Sequence, residues 1–208
     1  SLASCAATAP LTSQRTAQTI GADRWELSAG LSPLPNLGVT RGFGDNFELS
    51  LRHENQGHSD GQVVFLDAKY AFLNQKTGLS LATFAGTFLA AGAAKRGENA
   101  GYGYFLGPIA SYKISFFEPY ALAKFSGSHV YKPSESDFNT RKDVPLFRGD
   151  AVLGFNIWFT GNFGLNINAK WSSELNEAYE ESEEAGENDD ESPSIDFRCP
   201  SINLLWRS

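Results

Sequence analysis

Ten stretches of the chain alternate apolar and polar side chains with a period of two, the mark of a strand whose faces meet different surroundings. They run Arg24–Ser32, Asn36–Gly42, Asn46–Glu54, Gln62–Phe72, Gly78–Ala91, Gly101–Ile114, Phe117–Tyr131, Phe147–Phe159, Asn162–Trp171 and Ile195–Arg207. The ninth is the cleanest: Phe163, Leu165, Ile167, Ala169 and Trp171 oppose Gly164, Asn166, Asn168 and Lys170. In the fourth, Val64, Leu66, Ala68, Tyr70 and Phe72 stand against Asp67 and Lys69; in the eighth, Leu153, Phe155, Ile157 and Phe159 stand against Arg148, Asp150 and Asn156. No stretch reaches the ~18–20 apolar residues of a membrane helix, but a membrane strand needs only ~9–11.

The connections alternate too. Phe43–Asp45, Leu73–Thr77, Ser115–Phe116 and Thr160–Gly161 are tight, whereas Asn55–Gly61, Gly92–Ala100, Lys132–Leu146 and Ser172–Ser194 are longer; Pro33–Pro35 breaks the pattern. Short turns at one end and long loops at the other predict an all-β, antiparallel, up-and-down transmembrane β-barrel of about ten strands. An even strand number returns both termini to the short-turn, periplasmic side. The expected organisation is an N-terminal tether over 1–22 and a barrel over 23–208, with 172–194 a mobile outer loop.

Periodicity alone does not say which face is inside, and a soluble lipocalin-like barrel alternates as well. The aromatics favour lipid: Trp25, Tyr102, Tyr112, Tyr131, Trp171 and Trp206 lie near strand ends, the headgroup level that amphipathic rings prefer. Ordinary core packing is the competing reading of the same rings. With apolar faces outward, the lumen is expected to hold Glu26, Glu48, Arg52, Asp67, Lys69, Lys113, Lys124, Arg148, Asp150 and Lys170. Eight strands are just filled by their side chains and wide aqueous channels take ~16–18, so ten leave little room. Charges in so narrow a space are expected to pair. A narrow path for small solutes is the alternative.

Charge then singles out one segment. Glu174–Glu191 carries ten acidic residues and no Lys or Arg; without it the formal charge moves from −7 to +3. Like charges repel and stay solvated. Glu177, Glu180, Glu181, Glu183, Glu184, Glu187, Asp189 and Asp190 are the expected partner-binding loop, the partner being another envelope protein or a surface ligand. Nothing is basic enough for nucleic acid.

Catalytic signals are few. The chain has three histidines: His53, His58 (in His58-Ser59-Asp60) and His129 (after Ser128). Neighbours on a strand point apart, so these pairs make poor catalytic dyads. An outer-membrane hydrolase using His129 and His58 is a further alternative, but a non-enzymatic protein is expected. No His/Cys spacing suits zinc, no EF-hand pattern occurs in the acidic run, and neither cofactor nor metal is expected.

Leu2-Ala3-Ser4-Cys5 resembles a bacterial lipobox, whose cysteine becomes lipidated. A disulfide between Cys5 and Cys199, or two free thiols, are the other readings. The Met-less chain is expected to begin after a processing step. Together with this segment, the run Leu37–Leu49 with its Gly42-Phe43-Gly44-Asp45-Asn46 hairpin and the ending Ile202-Asn203-Leu204-Leu205-Trp206 resemble small outer-membrane β-barrel proteins of Gram-negative bacteria, some of them lipidated. The resemblance implies a bilayer environment and a structural or partner-binding role through surface loops. It transfers no catalytic residue. Arg207 and Ser208 after the terminal aromatic depart from the usual ending.

Overall fold

A computed structural model describes residues 16–31, 35–56, 61–91, 100–133, 141–175 and 196–208. It contains ten strands: β1 (Trp25–Leu31), β2 (Pro35–Gly42), β3 (Phe47–Gln56), β4 (Gly61–Leu73), β5 (Gly78–Ala91), β6 (Ala100–Lys113), β7 (Phe117–Pro133), β8 (Arg141–Trp158), β9 (Phe163–Glu174) and β10 (Asp196–Arg207). Each pairs antiparallel with its sequence neighbours, and β1 pairs with β10 to close the barrel. The closing register sets Glu26 against Arg207 and Leu31 against Ile202. An ion pair of 2.6 Å between Arg207 and Glu26 locks this seam from inside, with the guanidinium 4.0 Å above the Trp158 ring. Both termini of the barrel meet at the short-turn end, where Ser208 N–H donates to Trp25 C=O.

Period two decides which way each side chain points. Leu27, Leu37, Leu51, Leu66, Leu89, Leu106, Leu153 and Leu204 lie on the outer wall, each between 48 and 69% exposed. Glu48, Asp67, Lys69, Lys124 and Asp150 lie inside, each below 5%. A wall of this apolar extent, wrapped around buried charges, is stable against hydrocarbon and not against water. The chain is a transmembrane β-barrel. Exposed rings gather at the short-turn end, among them Trp25, Phe43, Tyr70, Phe72, Tyr112, Phe116, Phe159 and Trp206. Tyr102 and Tyr104 mark the other end.

Three details differ from the sequence reading. First, the interior is not uniformly ionic. Val63, Phe65, Phe84, Phe88, Phe105, Ile109, Leu122 and Val152 form an apolar sector inside β4–β8. Phe65 and Phe84 pack against Phe105 with centroids 5.9 and 6.0 Å apart. Only these stretches of the strands are apolar on both faces; farther along, the same inner faces carry Asp67, Lys69, Lys124 and Asp150. Cross-strand glycines make the room: a Cβ on Gly103 would sit 2.5 Å from the Phe88 ring, and one on Gly154 2.6 Å from the Tyr120 ring.

Second, β8 begins at Arg141 and not at Phe147, pairing Arg141 with Pro133. Residues 141–146 read as loop because a strand beyond the bilayer has no lipid face to keep apolar. The 17 and 18 residues of β7 and β8 exceed the ~9–11 that cross a bilayer, so this hairpin projects past it. Third, the connection after β3 is 57–60, no longer than the tight turn 43–46. Loop asymmetry is therefore carried by the three later connections, 92–99, 134–140 and 175–195.

Candidate functional site

The chemistry-bearing side chains converge in the lumen, where, among the described residues, two ionic groups stand beside the Glu26–Arg207 seam pair. The first is centred on Asp150 of β8. Lys124 on β7 reaches its Oδ2 at 2.9 Å and Lys170 on β9 at 3.0 Å, while Arg148 Nε donates to Oδ1 at 2.9 Å. Ser172 Oγ donates to the same Oδ1 at 2.6 Å and accepts from Arg148 Nη2 at 2.6 Å. Register explains the convergence: Asp150 lies opposite Lys124 on one side and Ser172 on the other. Below it, amides continue the network, with Asn168 donating to Asn166 at 2.8 Å and Asn166 to Asn156 at 2.6 Å.

The second group is built around Lys69 and Glu48, opposed across β3 and β4 and paired at 2.9 Å. It also grips the N-terminal segment. Thr16–Ile20 runs as a strap, bent at Ala17 and Gln18, inside the short-turn mouth, every residue buried. Lys69 Nζ donates to the carbonyls of Thr16 (2.8 Å) and Gln18 (2.6 Å), and Ile20 N–H donates to Glu48 at 3.1 Å. Ala17 N–H donates to Ser111 at 3.2 Å. Gln18 and Thr19 donate to the carbonyls of Gln75 and Asp45, in two of the short turns. The segment is small and uncharged, so it fits across a narrow mouth and offers backbone groups to a charged pair. Gly42 lets it enter: a Cβ there would lie 1.8 Å from Gly21 O. The cleft beside the strap, lined by Glu26, Thr40, Arg52, Asn156 and Leu205, has room for about one water molecule.

The other expected lumen residues fall around these groups. Arg52 and Asp67 are buried, Arg52 lying over the Phe65 ring at 5.9 Å. Lys113 is half-buried at the mouth, 3.4 Å from the Gln18 side chain, and Glu26 lies at the β1–β10 seam. The sequence reading missed two buried charges, Glu54 and Glu118, and half-buried Arg207 in the Glu26 pair. Parity with Arg52, Lys124 and Asn203 would have placed them.

Ser128 is buried inside, whereas the His129 ring stacks on exposed Tyr102 at 5.3 Å, so the two point to opposite sides of the wall. His58, Cys5 and the acidic residues from Glu177 to Asp190 lie outside the described residues. So does the side chain of Cys199, and with it the disulfide reading. Among the described residues, no group of His, Cys, Asp and Glu is arranged to hold a metal.

The sequence matches no protein-family profile. It also matches no curated protein. Solved structures do resemble it. The N-terminal β-barrel domain of Pseudomonas aeruginosa OprF aligns over 90% of this chain and 99% of that one, at 13% identity and TM-score 0.38. The outer membrane protease OmpT of Escherichia coli aligns over 88% of this chain and 89% of that one, at 10% identity and TM-score 0.43. Likenesses this distant carry no residue role across.

Proposed function

We propose that the protein is an outer-membrane barrel that holds a closed lumen and works through its outward loops, as a structural or partner-binding platform. One observation carries the reading: the lumen is filled by clustered charges and packed rings. Asp150 gathers three cations, Lys69 and Glu48 clamp the strap, and Phe65, Phe84 and Phe105 pack beside them. A conducting path needs water-accessible polar groups, and these face each other instead. Binding then belongs to the loops, where the acidic residues Glu177–Asp190 would select a cationic partner surface by charge. A lipidated Cys5 would add an anchor to such a platform without changing its lumen.

Planar-bilayer recording tests this directly. Reconstituted protein is expected to leave the bilayer silent. Reproducible unitary current steps would overturn the closed platform and favour a narrow pore. For the loop, deletion of 177–191 is expected to abolish salt-sensitive capture of a cationic envelope partner while the barrel still folds.

A further inference from the structure

We propose that Arg41, clamped between Trp25 and Phe43, binds the phosphate of a phospholipid headgroup on the outer wall of the barrel, at its short-turn end. This rests on the membrane reading of the fold and goes beyond it, because it names a lipid site.

Among the strand residues whose side chains are described, the outward positions are apolar, aromatic, uncharged or histidine, with one exception. That exception is Arg41, near the end of β2, opposite outward Trp25 on β1 and Leu49 on β3. The other strand arginines and lysines whose side chains are described turn inward, with carboxylates beside Lys69, Lys124, Lys170, Arg148 and Arg207. A cation on the lipid face is tolerated near the interface and increasingly penalised toward the bilayer centre. Arg41 sits one residue from the turn, at the level of the aromatic belt, where lipid phosphates lie.

The site is shaped before a ligand arrives. The Arg41 Cζ lies 5.1 Å from the Trp25 ring and 5.1 Å from the Phe43 ring. Two aromatic faces fix the guanidinium plane by cation–π attraction and keep water from its faces. Its edge stays available, since the side chain is 44% exposed. The nearby carboxylate, Asp23, is 4.0 Å from Nη2 and itself 91% exposed. That contact is long and solvated, and it leaves most of the fork's donors for a bidentate acceptor. Exposed Arg24 adds a second cation on the same rim.

A phosphate ester matches this fork in geometry and charge. Free phosphate shares the chemistry, but a phospholipid also has acyl chains. Directly above Arg41 the wall offers Val39 and Leu37 on β2 and Leu27 on β1 to receive them. The lipid is therefore the source we commit to.

Native mass spectrometry of the folded, delipidated full chain in micelles tests the site, with phosphatidylglycerol, headgroup-free diacylglycerol and inorganic phosphate as probes. Wild type is expected to hold one phosphatidylglycerol about tenfold more tightly than Arg41→Gln. Arg41→Lys, which keeps charge but loses the fork, should fall between them. Diacylglycerol should show no difference between variants, and inorganic phosphate should not displace the lipid. Equal lipid retention by wild type and Arg41→Gln would overturn the site. Displacement by inorganic phosphate at matching affinity would overturn the lipid as its ligand. Failure of the membrane reading itself looks different: the chain would stay folded and monodisperse after the micelle is removed.

Discussion

At the residue scale, Asp150 is the side chain on which most depends. Three cations share one carboxylate inside the wall, and no bulk water is at hand to screen them if it is lost. Removing one partner of a buried charge group leaves the rest uncompensated, at a cost of about 3–5 kcal/mol. Asp150→Asn keeps the shape and removes the charge. Urea unfolding of the folded barrel in micelles is expected to show a loss of that size, and a loss under 1 kcal/mol would mean the cations find other partners. The acids and bases of this group were legible as polar members of alternating strands. Their convergence on Asp150 was not, because it depends on the registers that set Lys124 and Ser172 opposite it from two different strands.

Among elements, the strap stands apart from the strands. Thr16–Ile20 has no apolar periodicity and read as part of a tether; its burial follows from what the barrel mouth offers it. Two carbonyls go to Lys69 and one N–H to Glu48, while the Glu48–Lys69 pair itself stands without it. A chain lacking residues 1–20 is therefore expected to fold, with unfolding shifted by about 1 kcal/mol per hydrogen bond lost. Bilayer recordings of this variant should stay silent, because the Asp150 group and the Phe105 cluster still fill the lumen. Currents that appear on strap removal would make the strap the seal. The β7–β8 hairpin teaches a related lesson. Its outer part, beginning at Arg141, is held by pairing to Pro133 and its neighbours, so period-two hydrophobicity could not reveal it.

At the scale of the whole molecule, the outer wall decides the environment. Leu37, Leu89 and Leu204 expose more than half of their surface on a barrel whose lumen charges are buried, so loss of the micelle should bring aggregation rather than a soluble monomer. Tryptophan quenching gives a sharper prediction. Trp25 and Trp206 are exposed in the short-turn belt, whereas Trp158 is 8% exposed beneath Arg207. Phospholipids brominated near the headgroup should quench Trp25 and Trp206 more than lipids brominated at the chain ends, and neither should reach Trp158. Stronger quenching from chain ends would place the belt at the wrong depth and invert the fit of barrel to bilayer.

The sequence by itself determined the strand count, the antiparallel order and which face of most strands is polar, because alternation with period two is a local property of each segment. It also implied that the charges would lie together, since ten strands enclose too little space to keep them apart. Tertiary structure alone decided the rest: which charge meets which, that an apolar sector fills one side of the lumen, and that the N-terminal segment crosses its mouth. Those outcomes depend on register, on barrel closure and on glycines facing large rings across a strand pair. Such relations join residues far apart in the chain, and local periodicity holds no record of them.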